Sequence, residues 1–131
     1  MRSGGADYRD ESRLCHMLRV VRRIRQQMPG LSRDDLREGH DKTEIILYNL
    51  QLLGEDANNL SEEVCVSHPE LDFKGLAGLR HHLVHDYANI DFDIVWNALI
   101  TDIPTVEELL TPIVASMPSE EKLPVNLEDF E

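Results

Sequence analysis

A chain of 131 residues can build one domain with a real core and is too short for two. Hydrophobic content of 41% and charged content of 29% are ordinary for a globular protein, while aromatics at 5% require a mostly aliphatic core. The net charge of -12 opposes non-specific binding to nucleic acid, and no apolar run is long enough to cross a bilayer.

The charge is unevenly spread. Residues 1–37 hold nine of the 13 Lys and Arg against five acids, which leaves four basic and twenty acidic residues for the rest. Such polarity still allows a local cationic surface and a confined RNA site. Met1-Arg2-Ser3-Gly4-Gly5 lacks the apolar segment of a secretory signal, and Cys15 and Cys65 are isolated. Both features lead us to expect a cytoplasmic protein with reduced thiols.

The first predicted helix runs from Asp7 to Met28, with Leu14, Met17, Leu18, Val21, Ile24 and Met28 on one stripe. Arg9, Arg13, Arg19, Arg22, Arg23 and Arg25 occupy the other faces, as a solvated surface or as a wall for RNA or an acidic partner. Pro29-Gly30 ends this helix, and Ser32 is suited to cap a short turn, Arg33 to Arg37. A second helix, about His40 to Asn58, carries a wide apolar arc including Ile45, Ile46, Leu50 and Leu53. Ser61 to Val66 forms a brief helical turn, broken at His68-Pro69.

Asp72 caps the third long helix, whose predicted buried stripe is Leu76, Leu79, Leu83 and Val84. Gly75 and Gly78 in its first turns point to close approach of another helix or a ligand. Asp91 starts a fourth helix, with Ile94, Val95, Ala98 and Leu99 inward and Trp96 as an anchor. Pro104 restarts the chain as a fifth helix, about Thr105 to Ser116, in which Pro112 predicts a kink or an early end. Residues 1–117 then form one helical domain, and 118–131 an acidic tail that is mobile or binds a partner. With no convincing strand, the fold expected is all-α, an up-and-down bundle of about five helices. Wide apolar arcs on the second and third helices leave one face uncovered, which predicts a symmetric homodimer.

The chemistry concentrates in Arg80-His81-His82-Leu83-Val84-His85-Asp86-Tyr87, read as the end of the third long helix. On a helix His81 and His85 stack, and Arg80 and Tyr87, seven apart, share a face. A fixed cation, titratable imidazoles and a phenol gathered there form a candidate site for an anion such as phosphate. RNA cleavage by its own 2′-hydroxyl needs proton transfers near neutral pH, which suits histidine. Arginine can stabilise the added charge on the phosphorane. Asp86 can orient a histidine or stand as an exposed acid. His85 can equally be a core histidine, and Arg80 can pair with an acid on a neighbouring helix. His81 and His85 have the i,i+4 spacing of zinc ligands, but His82 stands where a general-base Glu would follow the first ligand.

Arg80, four residues, then His85-Asp86-Tyr87 resembles the motif of the HepT-like branch of the HEPN superfamily, helical toxins of toxin–antitoxin pairs. Asn49 to Glu55, Leu60 to Glu63, Leu76 to Leu79 and Val95-Trp96 resemble its flanks, and the similarity covers roughly residues 7–115. The resemblance implies a dimeric endoribonuclease without metal or cofactor, acting on tRNA or mRNA. Arg80 and His85 would be catalytic, with His81 and Asp86 supporting. It also implies a minimal nucleotidyltransferase as antitoxin, which adenylylates the motif tyrosine, here Tyr87. One departure is His81, where this branch commonly has Asn. The alternative is a non-catalytic nucleotide- or substrate-binding subunit that docks onto a nucleotidyltransferase.

Overall fold

In the computed structural model, residues 8–118 are described, and every regular element among them is helical. Helix α1 spans Tyr8–Gln27, and a 3-10 turn at Arg33–Asp35 leads to α2, Asp41–Asn59. A short α3, Glu62–Ser67, precedes α4, Phe73–His85. A second 3-10 turn, Tyr87–Asn89, leads to α5, Phe92–Asn97. A π-helical turn, Ala98–Asp102, then carries α5 without a break into α6, Ile103–Ala115. The fold is the expected all-α bundle, the two last helices being continuous. The tail expected at 118–131 lies, beyond Pro118, outside the described residues.

The core is aliphatic, as the low aromatic content requires. Met17, Val20, Val21 and Ile24 of α1 meet Ile46, Leu50 and Leu53 of α2, Leu83 of α4 and Leu99, Ile103 and Leu110 of the last helix. Each such side chain contributes about 1.5–3 kcal/mol by leaving water. α2 packs on α1 and α4, and α6 packs on α1. Arg22 and Arg25 of α1 face Glu107 of α6 at 3.9 and 3.2 Å, so that end of the arginine row is partly neutralised. His16 of α1 pairs with Asp56 of α2. Buried Asp10 accepts from both Ser61 N–H (2.9 Å) and Ser61 Oγ (2.8 Å), tying α1 to the start of α3. Neither cysteine is in a disulfide: Cys15 is buried, its Sγ 3.5 Å from Met117 Sδ, and Cys65 is half-buried.

Several local expectations are overturned. Val84 and Ile94 are 41% and 47% exposed, not on buried stripes. Val84 stands on the outer side of α4, uncovered by the other described residues, and Ile94 lines an open cavity. The last helix does not stop at Pro112 but continues to Ala115. Pro112 is exposed, so water can take the carbonyl its missing N–H would have paired. Pro104 does stand in the first turn of the last helix, as expected, but the π turn before it joins that helix to α5 without a break.

Of the two expectations for Gly75 and Gly78, the approach of another helix is not met, though both line a cavity open to a ligand. A Cβ on Gly75 would lie 2.3 Å from the Asp72 carboxylate that caps α4, and one on Gly78 would meet nothing within 4 Å. The helix–helix contact is made instead by Gly54 of α2. A Cβ there would sit 2.3 Å from Arg80 Cβ and 2.7 Å from the Leu76 carbonyl.

Candidate functional site

α4 begins where Asp72 accepts the Gly75 N–H at 2.8 Å. Its inner face is fixed by Phe73, Leu76 and Leu83 in the core. That anchoring decides where the motif points. Arg80 falls on the flank towards α2, His81 and His85 on the outer face, and His82 on the opposite flank. Arg80 is half-buried, its stem against Gly54 and its Nε 2.7 Å from Glu55 Oε2. A guanidinium has five N–H donors, so an Nε contact leaves others for a phosphate.

His85 is exposed and is no core histidine. Its ring lies over that of His81, with centroids 4.0 Å apart and planes tilted by 36°. Two imidazoles and a guanidinium therefore occupy the last two turns of one helix. Among the described residues, no three His, Cys, Asp or Glu side chains converge as a metal site.

The helix ends at His85, two residues before the Tyr87 that the motif reading placed on it. Asp86 leaves helical geometry (φ -108°, ψ 30°), and Tyr87 opens the following 3-10 turn. Tyr87 therefore does not share a helix face with Arg80. It is 74% exposed and borders a cleft of about 460 Å3 with Glu38, Glu44, Leu47, Ile90 and Phe92. The outer faces of α2 and α4 expose Ile45, Tyr48 and Val84 beside the motif.

Asp86 does orient a histidine, but the partner is His82. Asp86 Oδ2 lies 3.0 Å from His82 Nδ1, and the Asp91 backbone N–H donates to His82 Nε2 at 3.1 Å. Sequence reasoning gave His82 no role of its own. The available signal was its i,i+4 spacing to Asp86. His82 also borders a second cavity, of about 510 Å3, between α4 and the last two helices. There Asp102 has its carboxyl pushed above the usual range by burial and then by the charge of Asp72.

Known proteins resemble this chain over most of that framework. The family model described as Ribonuclease HepT-like matches residues 17–113. A protein of Caldanaerobacter subterraneus subsp. tengcongensis, provisionally named an RNase, is 27% identical over 101 residues, 77% of this chain and 90% of its own length. Another provisional RNase, of Methanocaldococcus jannaschii, is 29% identical over 84 residues, 61% of this chain and 69% of its own. A Thermococcus cleftensis protein provisionally named ribonuclease HepT is 27% identical over 62 residues, covering 47% and 56%. No solved structure matches at a comparable level. No helix among the described residues is long and apolar enough to cross a membrane. With the matched span containing the whole of Arg80 to Tyr87, the chain belongs to the HepT-like ribonuclease family.

Proposed function

We propose that this chain is a metal-independent endoribonuclease and the toxin of a toxin–antitoxin pair, active as a homodimer whose two α4 helices line one cleft. The observation that supports it is the exposed imidazole of His85, stacked on His81 and five residues along α4 from a guanidinium held by Glu55. His85 serves as general acid or base at the 2′-hydroxyl or the leaving 5′-oxygen. Arg80 donates to the non-bridging oxygens as the phosphorane gains charge. His81 supports the site by its ring contact with His85. Asp86 supports it at one remove, by ordering the end of α4 through His82.

Tyr87, exposed at the cleft, is the proposed target of adenylylation by a cognate minimal nucleotidyltransferase. An AMP on its oxygen adds negative charge and bulk where RNA must enter. Intact-mass measurement after incubation with that partner and ATP checks this: wild type gains AMP, and Tyr87→Phe gains none.

The deciding experiment compares wild type, Arg80→Ala and His85→Ala on tRNA and mRNA in the presence of chelator. His85→Ala should lose about 10²–10⁴-fold in cleavage rate, and Arg80→Ala a comparable factor. Growth arrest on expression should disappear with His85→Ala. Three equally inert proteins would reject the catalytic reading in favour of a docking subunit for a nucleotidyltransferase, a role the net charge of -12 also suits.

A further inference from the structure

His82 is the one motif histidine whose two ring nitrogens are both engaged by hydrogen bonds. The Asp91 backbone N–H donates to Nε2, so Nε2 carries no proton. In the neutral ring the proton must then sit on Nδ1, where it is donated to Asp86 Oδ2. The two partners lie at opposite ends of the segment that leaves α4. Asp86 is the residue just past the helix, its own N–H bonded to the His82 carbonyl at 2.9 Å. Asp91 caps α5, its carboxylate accepting from the Asp93 and Ile94 N–H groups. Between them the Asn89 N–H bonds back to the Asp86 carbonyl at 2.8 Å, closing the turn that carries Tyr87.

We infer that His82 is a positioning residue: as the Nδ1–H tautomer it clamps the last turn of α4 to the cap of α5, and so fixes both the helix end bearing His85 and the turn bearing Tyr87. This rests on the proposed ribonuclease site for its functional meaning, and on the hydrogen bonds alone for its existence. The clamp is also acid-sensitive. A second proton on the ring occupies Nε2 and removes the acceptor for Asp91 N–H, while the bond to Asp86 becomes an ion pair. Among the described residues, the charged side chain bonded to the ring is the Asp86 carboxylate, Asp91 meets it through its backbone N–H, and the charged residues lining the cavity that His82 borders are Glu70, Asp72 and Asp102. His81 and His85 share its helix. Acid therefore opens the α5 end of the clamp first and leaves the Asp86 end closed.

Nitrogen-15 NMR of the imidazoles at neutral pH should find His82 protonated at Nδ1 and bare at Nε2; the opposite tautomer overturns the proposal. Amide exchange gives the second arm. His82→Ala should speed exchange at residues 87–91 by about tenfold or more and leave the α1 and α2 amides unchanged. His82→Gln, which keeps an acceptor near Nε2 and cannot titrate, should restore most of that protection and abolish its acid sensitivity. Unchanged exchange at residues 87–91 in His82→Ala, or no rescue by Gln, overturns the clamp. If His82→Ala fails to fold, the wild-type tautomer and the acid response of the Asp91 amide decide alone. On RNA, His82→Ala should lower kcat by about tenfold with little change in KM, and Gln should recover it. A wild type that cuts no RNA would overturn the ribonuclease reading and leave the tautomer and exchange results to judge the clamp.

Discussion

Gly54 shows how a residue without a side chain can govern one that has chemistry. It is buried on α2, and α4 passes so close that its missing Cβ would overlap Arg80 Cβ and the Leu76 carbonyl. A backbone carbonyl in a helix cannot swing aside, so Gly54→Ala must push the two helices apart. The expected cost is about 1–3 kcal/mol, read as a lower urea midpoint with an unchanged slope. RNA cleavage in this variant should fall further than its folded fraction, because Arg80 shifts away from Glu55. A variant as stable as wild type would mean that the two helices are not in contact at this point.

At the scale of elements, the π turn and the end of α4 carry the physics that spacing alone did not reveal. Three- and four-residue periodicity located α1, α2 and the start of α4 to within a residue or two, since those helices bury one continuous stripe. It failed where an element is not decided by its stripe. α4 ends at His85, and the chain that leaves it is tied back where the Asp91 N–H donates to the His82 ring, a contact nine residues apart with no signature in the spacing. Val84 has the spacing of a core residue and is exposed because none of the other described elements packs over the face it occupies. Pro104 looked like a boundary and does open the last helix, yet a π turn joins that helix to α5 without a break. Arg80 and His85 stand out in the motif, whereas Gly54 and Glu55 become visible only once α2 lies on α4, and His82 only once Asp91 is brought back to its ring.

Asp102, the last residue of the π turn, supplies a test at this scale. Its folded pKa is raised, by burial first and Asp72 second, so the ionised form is disfavoured in the folded chain. No penalty exists below the ordinary carboxyl value near 3.8; it sets in as pH rises through the folded value and persists above it. Asp102→Asn should therefore raise the thermal midpoint at neutral pH, and the gain should shrink as the buffer approaches the ordinary value. A constant gain at every pH would trace the effect to something other than that carboxyl.

For the whole molecule, the outer side of α2 and α4 sets the expected assembly. Ile45, Tyr48 and Val84 are exposed there, at 43%, 63% and 41%, next to the motif. Tyrosines buried at the centre of an interface are among the few residues that carry most of its energy. Wild type should run as a dimer in light scattering, and Tyr48→Glu with Val84→Glu as a folded monomer that no longer cuts RNA. A monomeric, fully active wild type would place the site within one chain. The contact between α2 and α4 has a last consequence for any anion this assembly grips. With its root wedged against backbone and its Nε held by Glu55, Arg80 gives up most of its rotational freedom when the chain folds. A long side chain commonly surrenders about 0.5–1.5 kcal/mol of entropy on being immobilised by a ligand. Here that loss precedes any ligand's arrival, so on the proposed ribonuclease reading a phosphodiester would meet a guanidinium that is already in place.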